Sequence, residues 1–406
     1  MIKCPESLFH SYFAWRVFPT PQTLRKEAHY RPEKTKLGRS CGTIMEKKFK
    51  VGVLGGTGMV GQRFVQLLAA HPWFETVAIA ASPQSAGRTY AEAVEGRWLL
   101  DGVVPDSARD LVLRDVSDVK GMADRVDFLF SAVNMPADEV RKLEEDYARA
   151  ETPVVSNNSA HRWTPDVPMI VPEINPTHAE VIEAQRRRLG TSNGFIAVKP
   201  NCSLQSYVPA LAAWRDLEPL EVVAATYQAI SGAGKNFDTW PEMRGNVIPF
   251  IGGEEEKSER EPLKVLGRLQ GGEIVPAEGP RITCQCLRVP VLYGHTAAVL
   301  VRFGREPASV DELIALLRDF RGVPQELDLP SAPKQFIHYL EAEDRPQPAL
   351  DAQCEGGMAV SIGRLRRDPL FGWKFVGLSH NTLRGAAGGA VLCAELLASR
   401  GYLTKK

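Results

Sequence analysis

Three glycines set at three-residue intervals, Gly55, Gly58 and Gly61, separate an apolar run from a segment of helical spacing in KVGVLGGTGMVGQRF. Phe49 to Leu54 reads as a buried strand. From Met59 to Ala70, Val60, Phe64, Leu67 and Leu68 share one helical face. Glycine permits the tight turn between the two and lets a backbone approach a pyrophosphate. The helix N-terminus then offers free N–H groups and the positive end of its dipole to phosphate. This unit predicts a dinucleotide site at Gly55, Thr57, Gly58, Met59 and Val60.

The rhythm set by that unit continues. Thr76 to Ala81, Val126 to Val133, Pro153 to Ser156 and Phe195 to Val198 read as short buried strands, and Pro136 to Ala150 as a helix with an acidic first turn. Alternation of this kind predicts a parallel, doubly wound, Rossmann-like α/β domain over residues 45–200. After Asn201 the texture changes. A helix is expected from Ser203 to Leu217, followed by longer β runs at Val222 to Ile230, Ile282 to Leu292 and Ala297 to Phe303. Strands without regular intervening helices predict an α+β second domain over residues 201–376. The last helix, Leu383 to Ala398, is rich in Gly and Ala, which allow close approach; residues 377–406 are expected to return to the first domain.

The second strand indicates which dinucleotide. NAD-preferring folds place Asp or Glu about 20 residues after the turn, on the ribose hydroxyl. Here VAIAA runs into Ser82, Pro83, Gln84 and Ser85, with Arg88 beyond. Hydroxyls and a cation suit a 2′-phosphate, so NADP is expected.

Cys202, in VKPNCSLQSYVPAL, lies between a strand end and a helix start, where a dipole would stabilise its thiolate. His295, in RVPVLYGHTAAV, stands between two β runs, and Arg288 is read onto the same strand seven residues earlier. In PFIGGEEEKSEREPLKVLG, Glu254 and Lys257 are three apart and share a helical face, able to hold a zwitterion and an anion.

Composition removes other classes of function. The 406 residues suffice for two cores, and 44% hydrophobic with 24% charged residues is ordinary for a globular protein. Lys plus Arg (49) balances Asp plus Glu (49), so no basic field recruits nucleic acid or anionic lipid. No apolar run approaches the roughly 20 residues that span a bilayer. Seven cysteines, with no CxxC pair, argue against a disulfide framework or a zinc site and suit a reducing cytosol. Cys284 and Cys286 flank Gln285 on one face of a β run and read as small core or surface residues. Residues 1–44 show no sustained period before MEKKFKVGVLGGTG, which reads like a natural start; a disordered extension is expected, with organelle targeting as the alternative.

Seven segments in order, GGTGMVGQRF, VVSNNSAHR, VKPNCSLQS, YQAISGAGK, EEEKSEREPLK, RVPVLYGHTA and SHNTLRGAAGGAV, resemble the aspartate-semialdehyde dehydrogenase family in its archaeal and fungal branch. They cover roughly residues 45–400. The resemblance implies Cys202 as nucleophile, His295 as general acid/base and Gln228 as the residue orienting the substrate. It implies Arg288 on the substrate carboxylate, Glu254 near its ammonium, and Arg162 with Lys257 on inorganic phosphate. Ser131, Ser231, Gly232 and Asn381 match cofactor contacts, and the second domain matches a catalytic and dimerisation domain, giving a homodimer or homotetramer in the cytoplasm. The implied reaction is reversible, NADP-dependent reduction of aspartyl phosphate through a cysteine thioester, feeding lysine, threonine and methionine synthesis. A malonyl-CoA reductase on the same scaffold and a catalytically silent NADP-binding protein are the alternatives.

Overall fold

The computed structural model describes residues 47–406. The readings made for residues 1–44, and Cys4 and Cys41 with them, lie outside the described residues.

Six strands form the first sheet: β1 (Phe49–Leu54), β2 (Phe74–Ala81), β3 (Arg114–Asp115), β4 (Phe128–Ser131), β5 (Val154–Ser156) and β6 (Ile196–Val198). All pair in parallel, in the order β3-β2-β1-β4-β5-β6. Parallel strands covered on both faces need apolar residues on both faces, and β4 is buried at every position. Helix α1 (Met59–Leu68) covers one side, where Phe64 stacks on Phe130 at 4.6 Å between ring centroids. Helices α2 (Ala137–Arg149) and α3 (Ile182–Leu189) supply the other side, with Leu143, Tyr147 and Leu189 in the cluster that holds Leu129, Val154 and Ile196. The strand order reverses at β1, which has β2 on one side and β4 on the other. A crevice therefore opens beyond the carboxyl ends of these strands, where the glycine turn lies.

Eight further strands follow. β7 (Pro219–Gln228) precedes a small hairpin of β8 (Arg268–Gln270) and β9 (Glu273–Val275); then come β10 (Arg281–Arg288), β11 (His295–Phe303), β12 (Ile337–Leu340), β13 (Val360–Asp368) and β14 (Gly372–Ser379). The second sheet runs β10-β7-β11-β14-β13-β12 and is mixed. Its inner face packs on α4 (Val208–Ala213) and α6 (Val310–Asp319), and Trp214 sits edge-on to Phe303 and Phe375 at 5.7 and 5.2 Å. Between these helices in sequence lies α5 (Glu254–Val265), packed beside β10. On the outer face, Val223, Ala225, Tyr227, Ala298, Leu300 and Val376 remain partly exposed.

The final helix, α7 (Ala387–Ser399), returns to the first sheet as expected. It packs beside α1 and β5, and residues 387–397 are all buried. Gly389 lies where this approach is close, since a Cβ there would lie 3.2 Å from Cε of Lys199, the residue that follows β6. Just before α7, the buried Arg384 guanidinium is forked onto the buried Glu173 carboxylate, its Nη1 donating at 2.8 Å.

Two local expectations are corrected. The helix expected from Ser203 to Leu217 is broken into a 3₁₀ turn (Ser203–Ser206), α4 and a second turn (Arg215–Leu217). Pro209 has no N–H and its ring would crowd the carbonyl of Gln205, so one helix cannot run through. Arg288 and His295 are not on one strand: Arg288 closes β10 and His295 opens β11. Pro290 cannot continue a ladder and Gly294 adopts φ +98°, so the chain turns between them. Residues 304–382, for which sequence patterning suggested no elements, supply α6 and β12 to β14.

Arg384→Met leaves Glu173 charged, buried and unpaired, and is expected to cost about 3–5 kcal/mol in denaturant unfolding. The double variant Arg384→Met/Glu173→Met is expected to recover part of that loss.

Candidate active site

Strand direction gathers the site. β7 and β10 are parallel, with Gln228 opposite Arg288; β11 is antiparallel to β7, with Thr296 opposite Tyr227. Gln228, Arg288 and His295 therefore meet at one edge of the second sheet, although 67 positions separate the first from the last. The turn after β7 (Ile230–Ala233) folds over them. A Cβ on Gly232 would lie 2.7 Å from Arg288 Nη1 and 3.2 Å from His295 Nε2, so a side chain there would displace the Arg288 guanidinium.

Cys202 arrives from β6. Asn201 Oδ1 accepts the Ser203 N–H at 2.8 Å and forms the turn that turns the thiol toward the second sheet. Cys202 Sγ lies 3.3 Å from His295 Nε2. His295 is buried, and its Nδ1 accepts the Ala229 N–H at 3.0 Å, which places the ring hydrogen on Nε2, facing the sulfur. Burial, with Arg288, His380 and Lys199 adding to it, holds this histidine well below its usual range. Burial and the Glu254 charge push the Cys202 thiol up to about 11, against the opposing pull of Lys199, Arg162 and Arg288. The expected activation of this thiol by a long helix dipole is corrected here: only a four-residue 3₁₀ turn follows it.

Glu254 opens α5 and stands at the centre of a polar cluster. Asn201 Nδ2 donates to both its oxygens at 3.0 and 2.9 Å, Gln228 Nε2 at 3.3 Å and Lys257 Nζ at 2.9 Å. Burial alone would raise this carboxyl, but the Lys257 ammonium and the Asn201 and Gln228 amides hold it below its usual value. Arg288 is buried and spends Nη1 on the Ala229 carbonyl at 2.8 Å. Lys257 is half-exposed on the rim. Arg162 is deeper: its fork donates to Glu261 at 2.9 Å, Lys199 O at 3.0 Å and Asn157 O at 3.2 Å.

The crevice beyond β1, β2 and β4 is a cleft of about 280 Å³, lined by Gly55, Thr57, Gly58, Ser82, Val133 and Met135 among others. Gly55 (φ +77°) and Gly61 are required by the protein itself, since a Cβ would lie 2.5 Å from Ala132 O and 2.1 Å from Gly55 O respectively. Gly58 is different: the nearest protein atom would be 3.8 Å away, so its lack of a side chain leaves room for a ligand. Met59 is buried and Val60 half-buried in the first turn of α1, which carries no acidic residue. The residues present therefore fit a dinucleotide phosphate. Of the residues expected around a 2′-phosphate, Ser82 lines the cleft. Ser85 is buried in the following turn, its N–H on Ser82 O, and Arg88 donates to the Glu92 carbonyl. Ser131 Oγ accepts from Asn158 at 3.0 Å, and Asn381 bridges Ser231 Oγ (2.8 Å) and the Gly294 N–H (2.9 Å).

Lys199, Asn201, Ser258 and Glu261 were not foreseen. Ser258 Oγ meets Ser203 Oγ at 2.9 Å, and Glu261 accepts the Asn201 N–H at 2.6 Å. The spacing of Glu254 and Glu261, seven apart on one helix face, was the available signal.

Residues 50–182 match the family described as semialdehyde dehydrogenase, NAD binding domain, and residues 211–384 match its dimerisation domain. Aspartate-semialdehyde dehydrogenase of Methanothermobacter thermautotrophicus is 45% identical over 350 residues, covering 86% of this chain and 98% of the relative. That of Cryptococcus neoformans is 41% identical over 364 residues, 88% and 98% of the two chains. The chain belongs to the aspartate-semialdehyde dehydrogenase family. The Candida albicans aspartate-semialdehyde dehydrogenase solved with NADP shares its fold at TM-score 0.78 and 38% identity, over 88% of this chain and all of that one. Membership in this oxidoreductase family favours the semialdehyde reading over malonyl-CoA reduction. Among the described residues no helix is long and apolar enough to cross a membrane.

In this aspartate-semialdehyde dehydrogenase family member, Gly58→Ala is expected to fold normally and weaken NADP binding at least tenfold by isothermal titration. Gly61→Ala is expected to lower the melting temperature as well, because its methyl group has no room.

Proposed function

We propose that this chain oxidises L-aspartate 4-semialdehyde with NADP and inorganic phosphate to L-aspartyl 4-phosphate, and works in the reverse direction in lysine, threonine and methionine synthesis. The observation that carries the proposal is the contact of Cys202 Sγ with the Nε2–H side of His295, 3.3 Å apart, at the strand edge that also presents Arg288 and Gln228.

The Cys202 thiolate adds to the aldehyde carbon and leaves an oxyanion. His295 Nε2–H is the donor that faces this oxygen; because Nδ1 already accepts from Ala229, the neutral ring serves as a donor rather than as a base. NADP, held at Gly55, Thr57, Gly58, Met59, Val60, Ser82, Ser131, Ser231, Gly232 and Asn381, supplies the hydride-accepting chemistry. The acyl thioester on Cys202 is the electrophile for phosphate, whose oxygen attacks the carbonyl carbon while the C–S bond breaks and returns the thiolate. Arg288 keeps most of its fork free for the substrate carboxylate, and Glu254 receives the substrate ammonium. Lys257, released from Glu254 by that ammonium, turns to phosphate. Arg162 orders the SNNSAHR loop beside it. In this reading residues 45–200 with 377–406 bind the cofactor, and 201–376 carry the chemistry.

We place a second copy of the chain on the half-exposed apolar face of the second sheet, around Tyr227, Ala298 and Leu300, within the matched dimerisation domain. The reaction belongs in the cytosol, where Cys202 stays reduced.

Phosphate-dependent reduction of NADP by aspartate semialdehyde is expected in the wild type and absent in Cys202→Ala; activity in that variant would remove the thioester route. Arg288→Lys, which loses bidentate geometry, is expected to raise KM for the semialdehyde about tenfold or more with a smaller loss in kcat. The rate is expected to climb with pH toward the raised thiol range, with no inflection near 6.5, because His295 is already neutral there. Leu300→Glu is expected to yield monomers by light scattering.

A further inference from the structure

Tyr293 stands two residues before His295, in the loop that joins β10 to β11, and two distant parts of the chain hold its half-buried ring. The His380 imidazole stacks on it at 5.1 Å between centroids, 25° from parallel. The Arg63 guanidinium of α1 lies over it at 5.7 Å. His380 is fully buried, and its ring is fixed because Nδ1 accepts the Thr382 and Leu383 N–H groups at 3.3 and 3.2 Å. Arg63 is buried too. Its Nη1 donates to the neutral amide of Gln66 at 2.7 Å, and its Nε has no hydrogen-bond partner among the described residues. A cation taken out of water in this way gains most from the negative face of an aromatic ring.

The neighbouring residue is held from the same place. Gly294 donates its N–H to Asn381 Oδ1 at 2.9 Å, and Asn381 follows His380. Two consecutive loop residues are therefore pinned by two consecutive residues after β14. Upstream, the carbonyls of Val291 and Leu292 accept the Ile230 and Ser231 N–H groups at 2.9 and 3.4 Å, so the loop carries the turn that follows Ala229. His295 depends on both pieces. It opens β11 and pairs with Ser379 of β14, but pairing with β7 begins only at Thr296. Its Nδ1 takes its hydrogen bond from Ala229. Elsewhere the loop has room to shift: Pro290 to Tyr293 line a cavity of about 510 Å³ with Gln347, Pro348 and Ala352 among others.

We infer that Tyr293 is a positioning residue for His295: its ring, gripped by Arg63 and His380, sets the loop that presents the His295 Nε2–H to Cys202. The same grip ties that loop to α1, the helix whose first turn follows Gly58 of the glycine turn. This rests on His295 acting at the Cys202 sulfur in the proposed reaction. Both contacts are made by the ring, so the ring is expected to carry most of the effect.

The test is steady-state kinetics of full-chain variants, joined to a measure that needs no substrate: the rate of Cys202 alkylation by iodoacetamide at about pH 8, read by peptide mass spectrometry. Tyr293→Leu removes the ring. It is expected to lower kcat about tenfold, with KM for the semialdehyde within about twofold of the wild type. Alkylation is expected to slow about threefold, because the N–H facing the sulfur is no longer held there. Tyr293→Phe keeps the ring and is expected to restore most of both rates. Arg63→Met is expected to lower kcat several-fold alone and by less in the Tyr293→Leu background, since the two residues act through one contact. A Tyr293→Leu enzyme that melts at a lower temperature but keeps wild-type kcat per folded molecule and wild-type alkylation would make Tyr293 a structural wedge and overturn the inference. If Tyr293→Leu does not fold, Arg63→Met decides in the same way, and unchanged kcat and alkylation would overturn it. A wild type without semialdehyde activity would instead refute the proposed reaction, and the alkylation rates would still decide the role of Tyr293.

Discussion

Two carboxylates on one face of α5 hold a single asparagine from both ends. Glu261 accepts the Asn201 backbone N–H and Glu254 receives its side-chain amide. Cys202 is the next residue, so the position of its sulfur follows from where α5 lies against β10. Both carboxylates are buried, and each is balanced by a cation from elsewhere: Arg162 on Glu261, Lys257 on Glu254. A buried charge with a partner removed is far costlier than the pair. The same ion pairs therefore anchor the SNNSAHR loop, the turn before Cys202 and α5 to one another.

The chemistry that results is not that of a preformed thiolate–imidazolium pair. Enclosure raises the thiol and depresses the histidine, both toward their neutral forms. A backbone N–H then fixes which nitrogen of the ring carries its hydrogen. What remains is a sulfur whose ionised form Lys199, Arg162 and Arg288 favour, and a ring N–H that faces it. Electrostatic support set in place before the reaction costs no reorganisation during it. The crevice is built separately, from the first sheet, and its glycines divide the labour: Gly55 and Gly61 are required by the protein's own packing, and Gly58 leaves open space.

Much of this was legible in the chain. The β1–α1 unit was, because a glycine turn between an apolar strand and an amphipathic helix is a local pattern. The parallel strands β2, β4, β5 and β6 were legible as continuous apolar runs, and the return of α7 followed from its Gly and Ala content, which allows close approach. The broken helix after Cys202 was misjudged because helical periodicity outweighed the one residue, Pro209, that forbids it. Arg288 and His295 were run into one strand because VPVLYG is itself apolar; only Pro290 and Gly294 mark the reversal.

Residue types and local spacing determined the dinucleotide turn, the parallel sheet and the presence of a thiol, a histidine and clustered charges. Periodicity has a reach of a few residues, and these features need no more. Which groups meet was decided by the tertiary structure: Gln228, Arg288 and His295 come together through strand direction and register, and Cys202 joins them from the other sheet. The protonation of the site was decided there as well. Burial and the Ala229 N–H are properties of an enclosed arrangement, and a linear sequence carries no measure of how far each charge is from water.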